Sequence, residues 1–128
     1  MEALAIVTAL SLSQVVYFAY QVGGARQKHG VTAPAVAGHD EFERHNRVHQ
    51  NTLEQLIVFL PSLWMFGYFI DPYWAAGIGL IFVLSRLVYR KAYIKDPQSR
   101  SGAFGVGFLT MVILLVGSVV GAVMSWMG

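Results

Sequence analysis

The chain has 128 residues, of which 55% are hydrophobic and 12% charged, with a net charge of +2 and no cysteine. That length allows one domain, residues 1–128, and so much apolar surface with so little charge, against the usual charged share of about 25%, excludes an ordinary soluble domain and points to an integral membrane protein. The small net charge gives no case for a nucleic-acid partner. Without cysteine there is no disulfide, protein thiol nucleophile or soft metal ligand, so any sulfur chemistry needs a thiol carried by a ligand.

Ala3 to Ala25 is uncharged and long enough to cross a bilayer, which takes about 20 residues. Gly23-Gly24 marks its expected end. The N-terminus has Glu2 where a signal peptide has a basic region, and its apolar stretch runs past signal length, so the segment is expected to stay as the first span (helix 3–25). A Gly/Ala/Pro-rich loop follows, from about Gln27 to His39. Asp40 with Glu43 three residues later is a capping-box pattern, which predicts a second helix over 41–70 bent at Pro61. Asp71-Pro72 reads as an N-cap followed by proline in the first helical position, and opens a third helix over 72–95. Asp96-Pro97 repeats the device for a fourth, 97–127, uncharged from Ser101 onward. The fold class predicted is all-α, a four-transmembrane-helix bundle.

The basic residues are Arg26, Lys28, Arg44, Arg47, Arg86, Arg90, Lys91, Lys95 and Arg100. All lie at or near the first and third connections, and the positive-inside rule puts those connections in the cytoplasm and both termini on the other side.

The second helix opens with a polar block, Glu43 to Glu54, that runs into the apolar stretch Leu56 to Ile70. At about 100° per residue, Arg47, Asn51 and Glu54 fall within roughly 60° of one another, beside Arg44 and flanked by Gln50 and Gln55. One reading is an Arg–Glu pair that locks the bundle. The other is a site for a zwitterion, with Arg47 on a carboxylate, Glu54 on an ammonium and Asn51 on a backbone amide. In the third helix Tyr89 and Tyr93 share a face one turn apart. They read either as membrane-edge anchors or, beside Arg86, Arg90, Lys91 and Arg100, as the wall of an anion pocket. His45 and His49 are also one turn apart, roughly opposite Arg47. No third ligand of credible spacing accompanies them, so no metal site is predicted, and contact with another subunit or with headgroups is expected. Ser13, Gln14, Tyr17 and Gln21 are expected to make interhelical hydrogen bonds, and Gly117, Gly121 and Ser125 to form a small-residue ridge.

The run Glu41-Phe42-Glu43-Arg44-x-x-Arg47-x-x-Gln50-Asn51-x-x-Glu54, then Leu63-Trp64, Arg86-x-x-Tyr89-x-x-x-Tyr93 and Arg100, with Gln21-Val22-x-x-Ala25-Arg26 before it, resembles the MAPEG family. These are the membrane-associated proteins of eicosanoid and glutathione metabolism, and the subgroup resembled is the microsomal glutathione transferases and leukotriene C synthase. The resemblance implies a homotrimer with glutathione as cosubstrate, bound between adjacent subunits near the cytoplasmic face. Arg47, Asn51, Glu54, Tyr89 and Tyr93 match glutathione-binding positions, Arg26 and His49 match positions that reach in from the neighbour, and Arg100 matches the catalytic arginine that holds the thiolate. Three departures stand out. Gln55 replaces an aromatic residue, His49 replaces a common glutamine, and Pro61 comes about a turn later than the family's helix-two proline. The implied activity is glutathione transfer or peroxidase chemistry on a hydrophobic small molecule or lipid, in detoxification. The expected location is a multi-pass inner membrane of a bacterium, in contact with membrane lipid. A non-catalytic lipid-binding scaffold of the same fold and a small four-helix drug exporter are the alternatives.

Overall fold

The computed structural model describes the backbone throughout and every side chain except those of Ser99 and Arg100. Four long helices follow one another: α1 Glu2–His29, α2 Asp40–Phe69, α3 Pro72–Lys95 and α4 Ser101–Met127, with a 3-10 turn Pro97–Arg100 before α4. The four-helix expectation is met.

α1 runs past Gly23-Gly24, which stay helical, and stops at Gly30. Gly30 takes the left-handed conformation at φ 66°, and the Val31 N–H closes the helix end on the Arg26 carbonyl at 3.0 Å. This is the glycine-terminated helix end that a side chain at φ > 0 would strain. The expected end at Ala25 was therefore a turn too early. The start of α2 also moves by one residue. His39, not Asp40, is the N-cap, its Nδ1 accepting from the Glu41 N–H at 3.1 Å, while Glu43 accepts from the Gly38 N–H at 3.2 Å. The reciprocal logic of a capping box is kept, with Asp40 freed to join Glu41 and Glu43 as acids in the first turn, where the helix dipole favours them. Asp71 caps α3 as expected, accepting from the Tyr73 and Trp74 N–H groups at 2.7 and 3.1 Å. Asp96 does the same for Gln98 at 3.1 Å, but the turn it starts is 3-10 before it becomes α-helical.

α1, α3 and α4 are each long and apolar enough to cross a membrane. α2 is not among them, because its first half is the polar block. At 1.5 Å per residue its 30 residues span about 45 Å, longer than the roughly 30 Å apolar layer. It packs against all three other helices, and its apolar half supplies the centre of the core. Leu56, Phe59, Leu63 and Phe66 meet Leu4 and Val7 of α1, Ala75 and Phe82 of α3, and Met111 and Leu114 of α4. The Phe59 and Phe82 rings stack with centroids 4.0 Å apart. Large apolar side chains on α1, α3 and α4, among them Ile6, Val16, Leu84, Val88, Leu109 and Val116, stay exposed. They form the outward surface that lipid covers.

The small-residue ridge of α4 is used within the chain. A Cβ on Gly117 would run into the Phe66 ring, and one on Gly121 would lie 2.8 Å from Ile70, so the ridge lets α4 approach the end of α2. Ser125 is exposed and takes no part. Ser13, expected to bond between helices, is exposed too. Gln14 does bond across, donating to the Val83 carbonyl of α3 at 2.9 Å.

Candidate functional site

The polar half of α2 faces the last two turns of α3 and the start of α4. Between them lies a pocket of ≈ 520 Å³ lined by Arg47, Asn51, Tyr89, Tyr93, Gln98, Ser101 and Phe104. A second pocket of ≈ 520 Å³ adjoins it, shares Arg47 and Tyr93, and continues past Arg44, Asn46 and Gln50 to Asp40 and Glu43. Tyr89 is buried and its ring lies 5.6 Å from that of Tyr93, nearly parallel. Tyr93 is only half-buried, so the pair is neither two lipid anchors nor a sealed core. An aromatic track leads away from it: Tyr89 to Phe104, then Phe104 to Phe108, each step 6.1 Å, and Phe108 is exposed on the apolar surface.

Arg47 and Glu54 do pair, at 3.7 Å, but both side chains are more than half exposed. The contact runs along the surface of α2 and does not lock the bundle. Such a pair contributes little to stability and leaves both charges reachable by a ligand.

Arg44 departs from its expected place in the stripe. It donates to the Ile94 and Lys95 carbonyls at 2.9 and 3.4 Å, satisfying the free carbonyls at the end of α3. Arg90 also leaves the tyrosine wall. It donates to Gln21 of α1 at 2.5 Å and lies over the Tyr17 ring, while Gln21 donates to the Tyr17 hydroxyl at 2.9 Å.

Arg86 is the largest surprise. It lies on the apolar stretch of α3, 1% exposed, and reaches under the pocket to α2. It donates to Asn51 at 2.8 Å, Thr52 at 2.8 Å and Gln55 at 3.2 Å, and its guanidinium sits 4.1 Å over the Tyr89 ring. Gln55 therefore faces the guanidinium and lies outside the pocket lining.

The family model described as the MAPEG family matches residues 4–120.

The chain belongs to the MAPEG family.

It is a multi-pass integral membrane protein, related to microsomal glutathione S-transferases and leukotriene C4 synthases. It is 42% identical over 114 residues to the uncharacterized protein sll1147 of Synechocystis sp., covering 89% of this chain and 83% of that one. It is 41% identical over 114 residues to microsomal glutathione S-transferase 2 of Mus musculus, covering 88% and 78%. With leukotriene C4 synthase of Cavia porcellus it shares 38% over 97 residues, covering 76% and 65%.

Of the site residues expected for a MAPEG protein, Arg47, Asn51, Tyr89 and Tyr93 come together in one pocket. Glu54 stands beside it, joined to Arg47. Arg26 and His49 lie elsewhere in the chain. Arg26 donates to the Ala35 carbonyl at 2.6 Å and covers the Phe42 ring, holding the first loop against α1, and His49 is half-buried on another face of α2. The Arg100 side chain lies outside the described residues. Among the described residues no three His, Asp or Glu side chains cluster as metal ligands would. Sequence reasoning placed Arg86 only at the flank of the tyrosines. The missed clue was pairwise: an arginine inside an apolar helix needs acceptors, and Asn51, Thr52 and Gln55 supply three on one stretch of the neighbouring helix.

Proposed function

We propose that this MAPEG protein is a membrane-bound glutathione transferase, joining the glutathione thiol to apolar electrophiles, with reduction of lipid hydroperoxides to alcohols, two glutathiones being oxidised to the disulfide, as a second use of the site. The observation that carries the reading is the pocket itself. It sets Arg47, Asn51 and a tyrosine pair at the polar end of a membrane bundle, with Glu54 beside them and an aromatic track leading to the lipid-facing surface. Its relatives named microsomal glutathione S-transferase 2 and leukotriene C4 synthase support the same cosubstrate.

Glutathione is zwitterionic at its γ-glutamyl end. Arg47 takes a carboxylate in a two-pronged contact and Glu54 takes the ammonium, so the ligand's two charges replace the long protein–protein contact between them. A free thiol has a pKa of about 8.5 and is mostly protonated at neutral pH. A guanidinium near the sulfur favours the thiolate, and we give Arg100 that role because it matches the family's thiolate-holding arginine, in the turn before α4. In conjugation the sulfur forms a bond to the electrophilic carbon, the thiol proton is lost to solvent, and the leaving group departs with its electron pair. We place the site on the cytoplasmic side, the termini opposite, and the chain in a bacterial inner membrane as a homotrimer in which a neighbour's Arg26 and His49 complete the site.

Two features weigh against the other readings. Gln55 is turned to Arg86 and is not among the residues that line the pocket, so the binding groups proposed here do not depend on it. Glu54 lies on the helix surface, where a proton-coupled exporter would hold its carboxylate inside the bundle. Titration calorimetry of glutathione into the purified protein, followed by a turnover screen with apolar electrophiles, tests the proposal. Binding with turnover is expected. Binding without any turnover points to the scaffold, and no binding at all rejects the reading.

A further inference from the structure

We infer that Arg86 is a positioning residue that fixes Asn51 as a hydrogen-bond donor to the ligand, so that the pocket reads an oxygen acceptor, a carbonyl or carboxylate, at that point. The inference rests on the glutathione reading for the identity of the ligand, and on the bundle for the rest.

Arginine has only donors. The atom of Asn51 that meets Arg86 Nη2 at 2.8 Å must therefore be its carbonyl oxygen. The same holds for Gln55, which meets Nη1 at 3.2 Å. The Asn51 amide cannot turn over without setting its NH2 group against a cation. With the oxygen held, the NH2 group is the end left for the pocket that Asn51 lines, and it has no partner among the described residues. A free asparagine offers a ligand either end, whereas this one offers a donor alone.

The guanidinium is itself held firmly. It is 1% exposed, donates to three side chains of α2, and has the Tyr89 ring at 4.1 Å. Its neighbours in these contacts are neutral, and its Nε has no hydrogen-bond partner among the described residues. No carboxylate among those contacts competes for the charge. One side chain thus sets both the direction of Asn51 on α2 and the seat of Tyr89 on α3, two opposite walls of one pocket. α4 packs closely beside it: a Cβ on Gly107 would lie 2.7 Å from the hydroxyl of Ser85, the residue before Arg86.

The sign of this arrangement is testable because aspartate keeps one property of Asn51 and reverses the other. Asn51→Asp still turns an oxygen to Arg86, but it presents a second oxygen to the pocket. Asn51→Ala removes both contacts. Two readouts are taken on the full-length purified protein: glutathione affinity by calorimetry, and the thermal midpoint without ligand. Asn51→Ala is expected to weaken glutathione about tenfold, as loss of one hydrogen bond does. Asn51→Asp is expected to bind at least tenfold more weakly than Asn51→Ala, since oxygen then faces oxygen. Its midpoint is expected to lie above that of Asn51→Ala, because the Arg86 contact survives. Arg86→Lys is expected to weaken glutathione with less loss than Arg86→Met, since an ammonium keeps part of the contact. Asn51→Asp binding as tightly as wild type would mean that the pocket reads an N–H there, and would overturn the inference. So would a midpoint for Asn51→Asp below that of Asn51→Ala. Wild type without glutathione affinity rejects the transferase reading and, with it, the identity of the ligand. The order of the two midpoints still decides whether Arg86 holds Asn51.

Discussion

Replacing Arg47 with alanine separates binding from folding in this protein. Arg47 meets Glu54 at 3.7 Å with 54% and 60% of the two side chains exposed. Exposed pairs of that kind contribute about 0.2–1 kcal/mol, so Arg47→Ala is expected to lower stability by less than about 1 kcal/mol. The bound state is different. A guanidinium that holds a ligand carboxylate makes a charge-assisted contact worth about 1.5–3 kcal/mol, which is about a tenfold to hundredfold change in affinity. Calorimetry of glutathione and thermal unfolding, both in the same detergent, measure the two effects on one preparation. The expected pattern is a nearly unmoved midpoint with affinity down by one to two orders of magnitude. Unchanged affinity in a folded Arg47→Ala protein removes Arg47 from the site. A collapse of the midpoint refutes the reasoning in another way, since the exposed pair would then be structural.

Packing gives a paired prediction: Gly79→Ala puts a Cβ 2.8 Å from Leu63 Cδ1 and 3.0 Å from Val7 Cγ1, and is expected to destabilise by about 1–3 kcal/mol despite its better helix propensity, while Gly24→Ala meets nothing within 4 Å and is expected to stabilise by about 0.5–1 kcal/mol. Thermal unfolding of the two variants checks the order. Arg100→Ala is expected to keep most glutathione affinity while raising the thiol titration midpoint of bound glutathione, read from the ultraviolet thiolate band; an unmoved midpoint shifts attention to the Tyr93 hydroxyl. A reporter fused to the C-terminus is expected to read as non-cytoplasmic, because the basic residues gather at the first and third connections. Native mass spectrometry in detergent is expected to give a trimer, and a monomer that binds glutathione with full affinity contradicts a shared site.

Helix number and two of the helix starts were legible because Pro and Asp state them locally: Asp71-Pro72 caps α3, and Asp96-Pro97 caps the 3-10 turn that leads into α4. The end of α1 was not. Glycine marks a helix end only where the chain needs φ > 0, and the sequence does not say which of Gly23, Gly24 and Gly30 is so placed. The pocket was half legible. Helical spacing brings Arg47 and Asn51 to one face and Tyr89 and Tyr93 to another, but only packing between α2 and α3 makes the two faces meet. The partition of the arginines was hidden for the same reason. Arg44, Arg86 and Arg90 are alike in composition, yet one closes the end of α3, one is buried beneath Asn51, and one joins α1. The acceptor each one finds belongs to another helix, and single-helix periodicity carries no information about that.

Glutathione bound beside Arg47, Asn51 and the tyrosine pair is expected to attack a substrate that arrives from the membrane. The most direct measurement reconstitutes the protein in lipid vesicles with glutathione and an apolar electrophile that partitions into the bilayer, and follows the thioether product by mass spectrometry. Conjugation is expected well above that of protein-free vesicles, saturable in glutathione and strongly reduced in Arg47→Ala. Glutathione that binds but yields no thioether with any electrophile, at a rate above that of the empty vesicles, contradicts it.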